Sequence, residues 1–219
     1  MHSPSSEQQK SLVKELNLHE PFSLIKRSEL ESWVSTSQQY RFKIGQKILR
    51  PDEPNNFIYL ILDGTVRLIS HEKNLDSQIS LGKRGPGQIL GWLSILRGEP
   101  SEHVQASTET TVLALEVEKF VSLIKTNNAF SDYFSTLTSP HEVINVLRGA
   151  EKLSPKGAKF TQEQIVAICS KSFVFSAKNN SLVNGSDLPK KWEWHISTPN
   201  IVGYEVGTQL KDIPDVKIH

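Results

Sequence analysis

A single cysteine, Cys169, among 219 residues leaves no partner for an intrachain disulfide, which excludes the stapled scaffolds of small secreted domains. An excess of one charge is missing too. Lys and Arg total 25 against 24 Asp and Glu, a net of +1, so there is no bulk basic field of the kind that drives unspecific nucleic-acid binding. No apolar run approaches the roughly 18 residues of a membrane span, and Met1-His2-Ser3-Pro4-Ser5-Ser6 is too polar for a signal peptide. These absences point to a cytoplasmic chain without direct membrane insertion. In that setting the sequons Asn179-Asn180-Ser181 and Asn184-Gly185-Ser186 are chance matches. Chemical motifs are missing as well: no G-x-x-x-x-G-K-[ST], no H-E-x-x-H, no G-x-S-x-G and no paired cysteines. The expectation is a non-enzyme with no catalytic residues, no metal and no cofactor. Cys169, among Ile165, Val166 and Ile168, reads as a core residue rather than a nucleophile served by His195.

What is present is periodicity. Leu12, Val13 and Leu16 fall at helical spacing behind Ser5 and Ser6, and Leu30, Trp33 and Val34 repeat the pattern after Ser28, with Glu31 completing an S-x-x-E capping box. From Tyr40 the period changes to two, through Phe42 and Ile44, until Gly45. The run Phe57 to Leu62 is continuously apolar, then Asp63-Gly64 predicts a two-residue hairpin turn into Val66 and Leu68. Short strands follow at Gln78 to Leu81, around Ile89, at His103 to Ser107 and at Thr111 to Glu116, broken by Gly82, Gly85, Pro86, Gly87, Gly98 and Pro100. About eight short strands at this spacing predict a jelly roll. Val117, Phe120, Val121 and Ile124 predict a helix packed back onto it, and Ser139-Pro140-His141-Glu142 reads as N-cap, first-turn proline and capping glutamate of another.

The stretch from Gly85 to Ala106 is the most informative. Its glycines, the apolar Trp92-Leu93-Ser94-Ile95-Leu96 and the Gly98-Glu99-Pro100 turn predict one short helical turn cradled by strands, whose leading amides form an anion pocket. With Gly45-Gln46, Ile58 to Leu68, Gly85-Pro86-Gly87-Gln88-Ile89-Leu90-Gly91 and Phe120, the chain from about residue 21 to 124 resembles the cyclic-nucleotide-binding domains of the catabolite-activator type. The resemblance implies an eight-stranded jelly roll with flanking helices, and a phosphate-binding cassette over residues 91–104. The family's cassette reads G-E-L and then, after a loop, arginine and a small residue; the glutamate binds the ribose hydroxyl and the arginine the cyclic phosphate. Gly91 and Leu93 keep the pattern, but Trp92 stands at the glutamate position and Pro100 or Ser101 at the arginine position. The ligand-binding residues implied are therefore Gly91, Trp92, Leu93, Ser94, Pro100, Ser101 and His103, in a cassette without its charged partners. Losing a bidentate arginine costs about 2–5 kcal/mol, so a cyclic nucleotide or other small anion is expected to bind weakly. Trp92 can fill the pocket, stack on a different ligand or point outward, filling being the expected reading, and Arg97, Lys83, Arg84 and His103 are alternative sources of positive charge.

The division expected is an N-terminal helix over residues 1–20, the cyclic-nucleotide-binding-like domain over 21–150, and a connector or small irregular α+β region over 151–219. In the last of these Thr161 and Gln164 form a capping pair, with Phe160 stapling against Ile165, and Phe173, Phe175 and Ala177 alternate, as do Trp192, Trp194 and Ile196. No basic recognition helix is apparent after Cys169, so nucleic acid is not an expected partner, and a transcription regulator is the alternative reading. Trp194 to Ser197, Gly203 and Gly207 to Leu210 resemble the segment that joins such a domain to the peptidase and membrane regions of bacterial peptide-exporting ABC transporters. That likeness implies a cytoplasmic regulatory domain whose partners are downstream domains of its own polypeptide, with a small-molecule ligand and a homodimer both compatible.

Overall fold

The computed structural model describes residues 4–51, 53–71, 78–98, 102–153, 161–174, 182–183, 188–197, 205–210 and 216–217. Helices α1 (Ser6–Leu16) and α2 (Arg27–Ser35) precede eight strands: β1 (Gln38–Phe42), β2 (Lys47–Leu49), β3 (Phe57–Asp63), β4 (Val66–His71), β5 (Gln78–Arg84), β6 (Ile89–Leu90), β7 (Val104–Ala106) and β8 (Thr110–Glu116). A short helix α3 (Trp92–Arg97) separates β6 from β7, and helices α4 (Val117–Thr126), α5 (Asn128–Thr136), α6 (Pro140–Leu153) and α7 (Gln162–Lys171) follow. The strands make two four-stranded antiparallel sheets, ordered β1-β8-β3-β6 and β2-β7-β4-β5. This is the jelly roll that the strand spacing predicts.

The Asp63-Gly64 turn is not a hairpin. β3 pairs with β8 and β6, while β4 pairs with β5 and β7, so the chain changes sheets at this corner. Gly64 has φ +87°, and a Cβ there would run into Glu109 O and Thr110 Cα. Only glycine fits where β3 hands over to β4 against the start of β8.

Two predicted capping boxes also dissolve. α2 begins at Lys26 without a side-chain cap, and Glu31 pairs with Arg27 at 2.9 Å, one turn away on the same face. At α6 the proline is at the first turn as expected, but Glu142 turns from the cap toward Arg97. The box at α7 does form, Thr161 accepting from the Gln164 amide and Gln164 from that of Thr161. Phe160 lies outside the described residues.

α5 was not anticipated from the sequence. Asn127 caps it, accepting from the Phe130 amide, and Phe130 and Phe134, one turn apart, enter the core. There they join Trp33, Phe22, Phe120 and Trp92 in an aromatic cluster with ring centroids 5.0–6.4 Å apart. This cluster ties α2, α4 and α5 to one sheet and to α3. A second core fills the roll between the sheets, with Leu49, Ile61, Val66, Leu68, Val104 and Val112, and Ile165 of α7 belongs to it. Residues beyond 150 therefore reach the roll: the 150 boundary falls inside α6, and Gly149 lies so close to Val206 O that a Cβ would collide with it. Cys169 packs beside Ile165, where burial pushes its thiol pKa up. His195 bonds to the Gly207 carbonyl and to Glu193. Phe175 and Ala177 lie outside the described residues, and Phe173 stacks edge-on against Trp192 and Trp194. No helix among the described residues is long and apolar enough to cross a membrane.

Candidate functional site

The short helical turn predicted between β6 and β7 is α3. Gly91 caps it at φ +87°, a conformation reserved for glycine, and a Cβ there would press on Phe57 O at 3.1 Å. Asn55 braces the entry, donating to Ser94 Oγ at 3.0 Å and to Gly91 O at 3.5 Å. Trp92 and Leu93 are buried. The Trp92 ring is 5.8 Å from that of Phe134 and 6.0 Å from the Arg97 guanidinium. Pro100 and Ser101 lie outside the described residues, which resume at Glu102 and His103 on the approach to β7.

Glu102 was not singled out from the sequence, yet it occupies the centre of the site. It is 5% exposed. Burial pushes its carboxyl pKa up to about 7, against the backbone N–H groups of Gly91, Leu93 and Ser94 and the charge of Arg84, all of which favour the carboxylate. Its Oε2 is buried and has no partner at full hydrogen-bond geometry among the described residues. The amides that would receive an anion are thus directed at a side chain of the same protein.

A cavity of about 210 Å³ lies beside Glu102, walled by Leu68 and Arg84 of the β4–β5 pair, Trp92, Tyr133 and Phe134 of α5, and Ser139 before α6. It is smaller than the roughly 300–1,000 Å³ usual for small-molecule sites. Gly91, Leu93 and Ser94 do not line it; Glu102 does.

The other candidate cations are engaged elsewhere or differently placed. Arg97 is 2.8 Å from Glu142, with side chains 14% and 3% exposed. Arg84 reaches the cavity, half-buried, its pKa lowered chiefly by burial. His103 is buried, and its backbone N–H approaches His141 Nε2 at 3.3 Å, a nitrogen that also sits 3.0 Å from Ile69 O. Burial lowers the His141 pKa to about 4, so the ring is neutral. Arg148 donates to Ser70 Oγ at 2.7 Å.

A jelly roll that opens between β6 and β7 for one glycine-capped helical turn, with helices closing over a cavity at that turn, has the fold of a cyclic-nucleotide-binding domain. The comparisons agree: residues 39–127 match the family model described as Cyclic nucleotide-binding domain. Over 90 residues the chain is 29% identical to the cAMP-dependent protein kinase type I-alpha regulatory subunit of Mesocricetus auratus, covering 39% of this chain and 53% of that protein. The chain thus spans about half the length of this curated relative. Among solved structures, the sensor domain of the transcriptional regulator DNR from Pseudomonas aeruginosa superposes with TM-score 0.54 at 15% identity, over 58% of this chain and 86% of that one. The regulatory domain of Toxoplasma gondii PKA, crystallised with cAMP, does so with TM-score 0.52 at 19% identity, over 59% and 51%. These two likenesses show the fold. The relatives named here are a regulatory subunit, a sensor domain and a regulatory domain; none is a transporter.

Proposed function

We propose that the chain is the sensor-like regulatory part of a larger protein, in which the state of the cavity beside the cassette is passed to helices α5 and α6. The observation that carries this reading is the direct connection of α3 to those helices: Trp92 packs on Phe134, and Arg97 is paired with Glu142 in a nearly dry environment. A guest that displaces Trp92 or shifts α3 must move these contacts, because close-packed interiors transmit strain.

Cyclic nucleotides are poor guests for the wild type. With proline or serine at the cassette's arginine position and Trp92 in place of the ribose-binding acid, cyclic AMP and cyclic GMP are expected to bind no tighter than about the millimolar range. The test is a titration of isotopically labelled protein with cyclic AMP, cyclic GMP and adenosine, read by backbone amide shifts. Movements should concentrate on residues 84–94, Glu102 and 133–142. Perturbations scattered over the surface for all three compounds, or micromolar affinity for either cyclic nucleotide, would overturn the reading.

The output it controls is, in our reading, a peptide exporter, supported by the likeness of the segment around Trp194 to Leu210. A transmembrane region and a Walker A motif encoded downstream of His219 are the expected result, and a stop codon directly after His219 would defeat it. The alternative output is that of a transcription regulator, and a helix-turn-helix region encoded downstream in place of a transmembrane region would favour it.

A further inference from the structure

The cassette turn points its amides at Glu102, and the cavity wall ends at the same side chain. A carboxylate and a phosphate present similar charged oxygens, so one can stand where the other would be held. Glu102 is buried, lines the cavity, is acted on by the backbone N–H groups of Gly91, Leu93 and Ser94, and follows in sequence the two residues onto which the cassette's arginine falls. We propose that the Glu102 carboxyl group is the resident ligand of the cassette turn, and that it sets the specificity of the cavity against cyclic nucleotides by occupying the place of their phosphate. This rests on the reading of the cavity as a cyclic-nucleotide-type pocket.

Missing cationic help is then only part of why a cyclic nucleotide is refused. An arginine added to the cassette leaves its amides still covered by Glu102, and the carboxylate competes with the phosphate for the new cation. Replacing Trp92 by glutamate and adding that arginine is therefore not enough to restore binding; Glu102 must go as well. What the wild-type cavity keeps is a carboxyl oxygen, the Arg84 guanidinium and aromatic walls, which suit an uncharged, donor-bearing ring molecule better than an anion.

The experiment uses the full chain in five forms: wild type, Ser101→Arg, Glu102→Ala, Ser101→Arg with Glu102→Ala, and these two with Trp92→Glu. Near-ultraviolet circular dichroism checks that each is folded, and calorimetry measures cyclic AMP binding. Ser101→Arg alone should gain less than about threefold, and the pair about a hundredfold over wild type, a coupling that independent sites would not show. If Ser101→Arg alone binds as tightly as the pair, the Glu102 inference fails while the pocket reading stands. If the folded triple variant binds no cyclic nucleotide, the pocket reading fails and the inference with it.

A second measurement needs no added ligand. The groups acting on Glu102 are Arg84 on β5 and the amides of Gly91, Leu93 and Ser94; the buried His103 follows it in the chain, and His141 interacts with His103 and Arg84. Amide shifts of Gly91, Leu93 and Ser94 in the wild type should titrate together with the Glu102 carboxyl carbon near pH 7, and Glu102→Gln should abolish the shared titration. Amides that stay still while the carboxyl titrates would overturn the proposal.

Discussion

Arg97→Ala should destabilise the protein by about 3–5 kcal/mol, because it leaves the Glu142 carboxylate buried with no counter-charge. The Arg97–Glu142 pair joins α3 to α6 at 2.8 Å, and Glu142 is 3% exposed. It is also incompletely satisfied: Arg97 Nη2 and Glu142 Oε2 are buried without partners among the described residues. Desolvation therefore offsets much of the attraction, and replacing both residues together, Arg97→Met with Glu142→Leu, should cost far less than either truncation. Urea unfolding of the two single variants and the double variant checks this, with a coupling energy of opposite sign to the single losses. A cost below about 1 kcal/mol for Arg97→Ala would show a pair behaving like a solvent-exposed one. The same variant should loosen hydrogen-exchange protection at the start of α6 while leaving β3 and β8 protected, since the pair is the polar link between cassette and helix.

The strand content and the jelly roll were legible because their signals are local: alternation of Tyr40 and Phe42, turn residues at Gly45 and Gly85 to Gly87, and the glycines around α3. Pairing was not. Asp63-Gly64 carries the chemistry of a hairpin turn, but whether two consecutive strands pair depends on distant partners, and β8 claims β3 while β7 claims β4. The capping box at Ser28 failed because α2 starts one residue earlier, at Arg27, and at α6 the proline keeps its first-turn place while Glu142 pairs with Arg97 instead of the cap. α5 was missed although Asn127 and the Phe130–Phe134 spacing announce it.

At the site, the resemblance to the family's cassette pointed to Gly91, Leu93 and Ser94, and the structure builds a short helix there, α3 behind Gly91. Glu102 was not singled out, because a carboxylate in a loop reads as solvated surface unless burial is known. Its importance comes entirely from what the fold brings against it: three amides from α3 and Arg84 from β5, 18 positions earlier in the chain.

Glu102 and His141 should make opposite and nearly cancelling contributions to the pH dependence of stability. The Glu102 pKa is raised in the folded state from 4.5 to about 7, so its contribution is fully present below pH 4.5 and is lost as pH rises toward 7. The His141 pKa is lowered from 6.5 to about 4, so its contribution is present above pH 6.5 and is lost as pH falls toward 4. Each amounts to about 3 kcal/mol at 1.36 kcal/mol per unit, and the two windows overlap between the unfolded-state values of 4.5 and 6.5. Across that window the wild type should change little from these two groups. Glu102→Gln removes the falling component and exposes the rising one, so its stability relative to wild type should climb by about 3 kcal/mol as pH is raised through the overlap. His141→Gln, which can still donate to the Ile69 carbonyl, should show the reverse trend. Urea midpoints at constant slope, taken from pH 4.5 to 7.5 in steps of roughly half a unit, measure both differences. A Glu102→Gln curve that runs parallel to the wild type would mean that Glu102 ionises in the folded protein much as it does in the unfolded chain. The amides of α3 would then be compensating its burial in full.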